Sequence, residues 1–289
     1  DFPGPASLVQ LSRLFHHTRD LGIPEHIAWV DGIHNCTACM KCEDICPKDV
    51  YPFRNGIIPL RSAIKKEKLD LPLMQQRLID QFKHAGSVVN KKRTNKFKYE
   101  ATDPNSKIAL FLGCMFKEQY PEQGEKILDL LFSIGIKVKQ INELVCCGGP
   151  LLWIGDSEEA KKSIEHNINI LKENGIEQVI TPCPGCGITL KNDYIKYHIN
   201  KFEENLPFKV LDMTEIILEK ISNIYFKEGN NVKVLYHDPC HHGKGQGLLG
   251  KSIQILKHIP EIDLIEEDEA NHICCGGMTS SSNFQATNE

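Results

Sequence analysis

The sequence lacks any long apolar run, and none approaches the 18 or so residues that a membrane-spanning helix needs. No secretory signal peptide opens the chain. It also lacks an excess of charge of either sign, because 34 Lys and Arg residues stand against 38 Asp and Glu residues and the formal net charge is −4. These absences predict a cytoplasmic protein without a transmembrane segment, and they give no electrostatic reason to expect a nucleic-acid partner.

Cysteine, in contrast, is abundant, with 12 residues in a chain of 289. Disulfide frameworks are typical of small secreted domains, whereas these thiols occur in short-spaced groups within a long chain, which favours metal binding. Zinc and disulfides stay open as alternatives. We predict that all twelve cysteines bind metal cofactors, namely Cys36, Cys39, Cys42, Cys46, Cys114, Cys146, Cys147, Cys183, Cys186, Cys240, Cys274 and Cys275.

The central group contains five of these thiols. Cys114 follows an apolar run, and the pair Cys146-Cys147 precedes two glycines after 31 intervening residues. A Cys-Pro-Gly-Cys segment that ends at Cys186 follows after a further 35 intervening residues. Glycine lets a backbone adopt positive φ and approach closely, as a loop around a cluster must. Five ligands are also one more than a tetrahedral zinc site or an ordinary cubane cluster uses.

Part of this pattern repeats. Cys240 follows another apolar run, and Cys274-Cys275 again precedes two glycines. The offsets from the first copy are 126 (240 minus 114) and 128 (274 minus 146), which indicates an internal duplication. A matching third element is expected near position 311, beyond Glu289, so the second copy is expected to need residues outside this sequence.

The Cys, Cys-Cys-Gly-Gly, Cys-x-x-Cys arrangement resembles the cysteine-rich "CCG" domain. This domain occurs in heterodisulfide reductase catalytic subunits, in thiol:fumarate reductase and in the iron–sulfur subunits of glycolate, lactate and glycerol-3-phosphate dehydrogenases. The segment from Tyr236 to His241 is similar to the signature of the second repeat in that family. The resemblance implies non-cubane [4Fe-4S] clusters at the CCG motifs.

A second motif lies nearer the N-terminus. Cys36, Cys39, Cys42 and Cys46, followed by Pro47, form the C-x2-C-x2-C-x3-C-P run of bacterial ferredoxins, which predicts a [4Fe-4S] cubane. In such runs the fourth cysteine commonly ligates the neighbouring cluster. The fourth ligand of the first three cysteines is then expected outside this sequence.

The stretch from Gly4 to Asp20 before this run is similar to the two-cluster domain of succinate and fumarate reductase iron–sulfur subunits. In those proteins, a first cysteine run and a [2Fe-2S] domain come earlier in the chain. We therefore expect the sequence to be an interior fragment that is truncated at both ends.

The predicted fold class is α+β, with an all-α ferredoxin-like two-cluster half-domain followed by α/β parallel-sheet CCG repeats. We predict the half-domain at residues 1–82, a linker at 83–106 that includes the basic segment 91–98, a first CCG repeat at 107–230 and a truncated second repeat at 231–289. Predicted helices are 6–20, 59–68, 74–83, 122–132, 157–174 and 214–226. Predicted strands are 107–112, 136–141, 177–181, 208–211, 232–236 and 262–265, so that Cys114, Cys183 and Cys240 follow the carboxyl ends of strands.

The order of the two halves resembles the iron–sulfur subunits of thiol:fumarate reductase. The resemblance implies a cytoplasmic oxidoreductase in which clusters couple oxidation of the small thiols coenzyme M and coenzyme B to fumarate reduction on a flavin-containing catalytic subunit. Alternatives are a heterodisulfide reductase subunit, an electron-transfer subunit of a hydroxyacid or glycerol-3-phosphate dehydrogenase, and a zinc-stabilised interaction module. His237 and His241 bracket Cys240, and His241 is a candidate proton donor.

Overall fold

The computed structural model describes residues 33–48, 50–67, 71–89, 102–198, 205–227, 231–265 and 274–277. The predicted helix at 6–20 and the basic segment at 91–98 lie outside these ranges, as does the stretch that resembles succinate and fumarate reductases. All twelve cysteines lie inside them, and all twelve are free thiols.

The N-terminal part is helical. Its elements are α1 (Lys41–Asp44), a π-helical turn (Phe53–Ile57) that leads into α2 (Ile58–Lys66), and α3 (Leu73–Ala85). One face of α3 buries Leu78, Ile79 and Phe82, and the helix ends at Gly86, whose φ of 65° is the left-handed conformation that commonly closes a helix. The predicted helices at 59–68 and 74–83 are therefore confirmed.

Three parallel strands form the sheet of the first repeat in the order β1 (Ile108–Leu110), β2 (Gln178–Thr181) and β3 (Lys209–Asp212). The register pairs Ala109 with Val179 and Leu110 with Ile180. Because side chains alternate along a strand, the first pair faces one apolar cluster and the second pair faces another. The sheet is covered on both faces, as a parallel sheet requires.

Helices connect these strands. They are α4 (Pro121–Ser133), α5 (Gly149–Trp153), α6 (Ser157–Glu173), α7 (Pro184–Ile188), α8 (Tyr194–His198) and α9 (Met213–Lys220), with π-helical turns at Met115–Gln119 and Thr189–Asp193. A capping box between Asp212 and Glu215 begins α9. The prediction that this helix reaches residue 226 was wrong. It ends at Lys220 and a 3-10 turn follows at Ile221–Asn223, where serine and asparagine compete for backbone hydrogen bonds.

The second repeat contains β4 (Val232–Leu235), α10 (Cys240–Gln246), α11 (Lys251–Leu256) and β5 (Ile262–Ile265). β4 and β5 pair in parallel. In the first repeat, Lys139 bridges β1 in the same sense and its N–H donates to the Ile108 carbonyl over 2.7 Å. β5 thus takes the place that the segment around Lys139 takes in the first copy, which supports the duplication inferred from the cysteine spacing.

One apolar core joins the N-terminal helices to the first repeat. Ile64 of α2 and Phe82 of α3 belong to the same buried cluster as Leu151 of α5 and Ile164 of α6. The α+β fold class is confirmed, while the domain boundaries and the ferredoxin-like character of the N-terminal part stay predictions. Within the described ranges, no helix combines the length and the apolar character that a membrane crossing requires.

Candidate iron–sulfur site

Three segments at the carboxyl edge of the sheet carry the five central thiols. Cys114 follows β1 after Gly113, whose φ is 73°, and the pair Cys146-Cys147 precedes Gly148, whose φ is 85°. The remaining two thiols, Cys183 and Cys186, lie at the start of α7, directly after β2. The prediction that Cys114, Cys183 and Cys240 follow the carboxyl ends of strands is confirmed, since Cys240 begins α10 after β4. The parallel sheet explains why the segments of the first repeat meet at one edge.

The five thiols form a continuous chain of hydrogen bonds. Cys114 bonds Cys146, which bonds Cys147, and Cys147 reaches Cys186. Cys186 in turn bonds Cys183. The structure therefore brings together all five residues that the sequence singled out in the first repeat.

The pKa values of these thiols diverge because they share protons. The hydrogen bond from Cys146 lowers the pKa of Cys147 to about 6, and the hydrogen bond from Cys186 lowers that of Cys183 to about 7. Two other thiols have raised pKa values. The hydrogen bond with Cys146 raises the pKa of Cys114, and hydrogen bonds with Cys147 and Cys183 raise the pKa of Cys186. Since metals bind thiolates and displace protons, such a proton-sharing group can exchange its protons for metal.

The surroundings of these thiols fit a bound sulfur-ligated group. A Cβ atom on Gly113 would lie 2.7 Å from the Cys186 Sγ, so the backbone approaches this thiol more closely than any other residue type allows. A Cβ on Gly149, beside Cys147, would lie 2.3 Å from the Thr189 Oγ1. The soft all-thiolate donor set suits iron–sulfur clusters, zinc or copper(I). Across the described residues, no three His, Cys, Asp or Glu side chains are grouped so that they could hold a single metal ion.

A cavity of about 250 Å³ opens beside this group. Cys114 and Cys146 line one side, and Gly86 and Ser87, which follow α3, line another. Lys117 also lines it and donates from Nζ to the Leu144 carbonyl over 2.9 Å. A space of this size beside two of the thiols can admit a small molecule.

The N-terminal cysteine loop winds through two residues of positive φ, Ala38 at 56° and Met40 at 59°. Cys36, Cys39 and Cys42 interact electrostatically, and burial raises the pKa of Cys42 to about 11. Cys46 follows α1, and its N–H donates to the Glu43 carbonyl. It stays a prediction that Cys36, Cys39 and Cys42 ligate one cubane, whose fourth ligand comes from elsewhere.

The second-repeat cysteines lie against this N-terminal loop. Cys274 is hydrogen-bonded to Cys240 and to the Thr37 side chain, and it interacts electrostatically with Cys36. Cys240 likewise interacts with Cys39 and with Cys275. This meeting of the first and last cysteine groups could not be predicted from the sequence, because residues so far apart in the chain leave no local pattern.

His241 links the two groups further. Its Nε2 lies 3.0 Å from the Ala38 carbonyl, which only accepts hydrogen bonds, so Nε2 must carry the proton. Burial lowers the pKa of His241, which keeps its imidazole neutral. The Trp153 ring packs on it at a centroid distance of 4.6 Å and also lies against Gly149 and Gly185. The role of His241 as a proton donor stays a prediction, and this contact gives its N–H another partner.

Arg61 of α2 is fully buried beneath the N-terminal loop. Its guanidinium donates to the carbonyls of Cys36, His34 and Ile33 and to that of Trp153. Burial lowers its pKa to about 10, and the Cys36 thiol opposes this shift, so Arg61 stays charged at neutral pH. Burial, and to a smaller extent the charge of Arg61, lowers the pKa of His34 to about 3. The His34 imidazole is therefore neutral.

Comparison with known proteins places these observations in a family. The model of the "CCG: Cysteine-rich domain" family matches residues 108–191 and 234–289. Over 281 residues, which are 96% of the chain and 54% of the relative, the sequence is 31% identical to an uncharacterized iron–sulfur protein of Methanocaldococcus jannaschii.

Other relatives carry functional names. Among them is a subunit of the fumarate reductase (CoM/CoB) of Methanothermobacter marburgensis, which is 30% identical over 96% of the chain and 54% of the relative. Another is a subunit of the dihydromethanophenazine:CoB--CoM heterodisulfide reductase of Methanosarcina mazei, which is 26% identical over 85% of the chain and 62% of the relative. The chain spans about half the length of the first curated relatives it matches. The thiol-lined site and these relatives support [4Fe-4S] clusters as its cofactors, and residues 108–191 and 234–289 of the chain carry the cysteine-rich CCG domain.

Proposed function

We propose that this chain is part of the iron–sulfur subunit of a cytoplasmic oxidoreductase that couples thiol oxidation to fumarate reduction. Two small thiols, coenzyme M and coenzyme B, are joined into a heterodisulfide and release two electrons and two protons. A flavin-containing partner subunit uses two electrons and two protons to reduce the carbon–carbon double bond of fumarate and form succinate. The iron–sulfur clusters carry the electrons between the two sites.

The observation that carries this proposal is the cavity beside Cys114 and Cys146. An enzyme that oxidises thiols must let a small thiol reach its redox centre, and a space of about 250 Å³ next to two candidate cluster ligands provides that access. Lys117 places a positive charge at the same cavity, which favours an anionic ligand. We infer that Cys114, Cys146, Cys147, Cys183 and Cys186 bind a non-cubane [4Fe-4S] cluster there.

The remaining cysteines fit the transfer of electrons. The cubane would be held by Cys36, Cys39 and Cys42, while Cys46 would bind a neighbouring cluster. A second cluster of the CCG type would be bound in part by Cys240, Cys274 and Cys275. The hydrogen bond of Cys274 with the Thr37 side chain and its electrostatic interaction with Cys36 support a short path between these two groups. The two-cluster resemblance and the relative from a fumarate reductase (CoM/CoB) support the direction toward a fumarate-reducing partner.

The second candidate is an electron-transfer subunit of a flavin-dependent hydroxyacid or glycerol-3-phosphate dehydrogenase. The adjacent cysteine groups favour it, because a subunit that only conducts electrons needs closely spaced clusters and no substrate cavity. The two candidates differ in whether a small thiol reaches the five-thiol cluster.

Electron paramagnetic resonance of the full-length protein with its flavin partner tests this difference. Saturating coenzyme M and coenzyme B should alter the signal of the five-thiol cluster and leave the ferredoxin-type signal unchanged. Cys147→Ser serves as the control, since it should remove the responsive signal and the iron of one cluster. If the thiols leave every signal of the wild-type protein unchanged, the thiol-oxidising function is wrong and the electron-transfer subunit is the better assignment.

A further inference from the structure

In the part of the chain that the structure describes, Arg61 is a buried cation without a carboxylate partner. Its residue is 1% exposed, and every partner of its guanidinium is a backbone carbonyl. Taking a charge out of water is costly unless an opposite charge compensates it, so a buried guanidinium of this kind calls for a negative group nearby.

The geometry shows where such a group would lie. The Arg61 Nη2 donates to the Cys36 carbonyl and to the Ile33 carbonyl, both over 2.8 Å, so the guanidinium supports the start of the cysteine loop from beneath. The Cys36 thiol also opposes the lowering of the Arg61 pKa by burial, as a negative group near the guanidinium does. A cluster bound by thiolates carries net negative charge and would supply the missing anion at this place.

The guanidinium is held rigidly in this position. Gly155 packs on the Arg61 backbone, where a Cβ would lie 2.4 Å from the carbonyl carbon. One and four residues after Arg61, Ser62 bonds Ser157 over 2.7 Å and Lys65 pairs with the buried Asp156. These contacts fix α2 against the segment 153–157, so the positive charge cannot move away from the cysteine loop.

We propose that Arg61 is a positioning residue that sets the reduction potential of the cluster on the Cys36 loop. Reduction adds a negative charge to that cluster, and a fixed, buried positive charge stabilises the reduced form more than the oxidised form. The same side chain anchors the Cys36 and Trp153 carbonyls, so one residue ties the N-terminal loop to the segment that follows Cys146-Cys147. This inference rests on an iron–sulfur cluster at Cys36 and is independent of which thiol or partner the protein uses.

A redox titration followed by electron paramagnetic resonance tests the inference. Arg61→Gln removes the charge and keeps a hydrogen-bond donor on a shorter side chain. We expect the reduction potential of the ferredoxin-type cluster to be lower in this variant by about 59 mV. For one electron, this shift means that the ratio of reduced to oxidised cluster at a given potential is about tenfold smaller. The signal of the five-thiol cluster should shift less.

Two further variants keep the test decisive. Arg77→Gln removes an exposed arginine from α3 and should leave both potentials unchanged. Arg61→Lys keeps the charge and should stay close to the wild-type potential, and it decides the matter if Arg61→Gln binds no cluster. Two results would show that Arg61 supports the loop without setting the potential of the cluster. One is an unshifted potential in Arg61→Gln, and the other is a potential in Arg61→Lys that is lower than the wild-type value by about 59 mV.

Discussion

Gly113 is the glycine that lies closest to a thiol of the five-thiol site, and its replacement by alanine is the most direct test of how the site is built. Gly113 has a φ of 73°, where an L side chain costs about 1–2 kcal/mol. The added Cβ would also lie 2.7 Å from the Cys186 Sγ, and overpacking of this kind costs about 1–3 kcal/mol. The thiol must therefore move, and we expect Gly113→Ala to lose the iron of one cluster.

A matched control separates the two costs. Gly135 has a φ of 80°, and a Cβ there meets no atom within 4 Å. Gly135→Ala should therefore show only the backbone cost of about 1–2 kcal/mol and keep its full iron content. The difference between the two variants, about 1–3 kcal/mol, is the contribution of the contact with Cys186.

Anaerobic urea unfolding measures the free energies of both variants, and chemical analysis of iron and sulfide measures their cluster content. Equal iron content and an equal loss of stability in Gly113→Ala and Gly135→Ala would refute the reasoning. That result would mean that Cys186 is free to move and that its position beside Gly113 has no part in binding a cluster.

Two other substitutions test the joint between the halves and a buried carboxyl group. In Gly155→Ala the new Cβ would meet the Arg61 backbone, which cannot rotate away, so we expect the free energy of unfolding in urea to fall by more than about 3 kcal/mol. In the control variant Gly175→Ala the space is open, and we expect it to fall by about 1–2 kcal/mol. Similar losses in both would contradict a tight joint. Burial raises the pKa of Asp193 to about 6, so its native carboxyl keeps a proton that the unfolded chain releases, and stability falls as the pH rises from about 4 to 6. Asp193→Asn should therefore be more stable than the wild type at pH 7.5, by up to about 3 kcal/mol, and should lose this advantage at pH 4. A pH-independent difference would contradict the raised pKa.

The sequence was informative where the cause is local. Three of the four strands predicted for the first repeat, and the cysteines at the carboxyl ends of two of them, could be predicted because apolar runs and Cys-Gly segments lie next to each other in the chain. The strand predicted at 136–141 was wrong, because only isolated bridges at Val138 and Lys139 form there. The end of α9 was placed too late, since apolar periodicity continues through Ser222 and Asn223 while their side chains favour a turn.

The contacts that organise the site across the chain could not be predicted. His241 meets Ala38 across 203 positions, and Arg61 meets Trp153 across 92. Long-range contacts of this kind leave no periodic signal. One trace was present for Arg61, because it follows Ile58 and precedes Ile64 at spacings of three, which puts a charged residue on the apolar face of α2.

The apolar cluster that runs from α2 and α3 into the first repeat affects how the protein must fold. Ile64 and Phe82 are buried against side chains that lie beyond residue 102, so the N-terminal helices cannot complete their core before the first repeat has been synthesised. Until then their apolar faces stay exposed to solvent, and the Cys36 loop lacks the Trp153 carbonyl that helps to hold Arg61. The cysteine loop that comes first in the chain is therefore expected to gain its final shape late in folding, together with the five-thiol site.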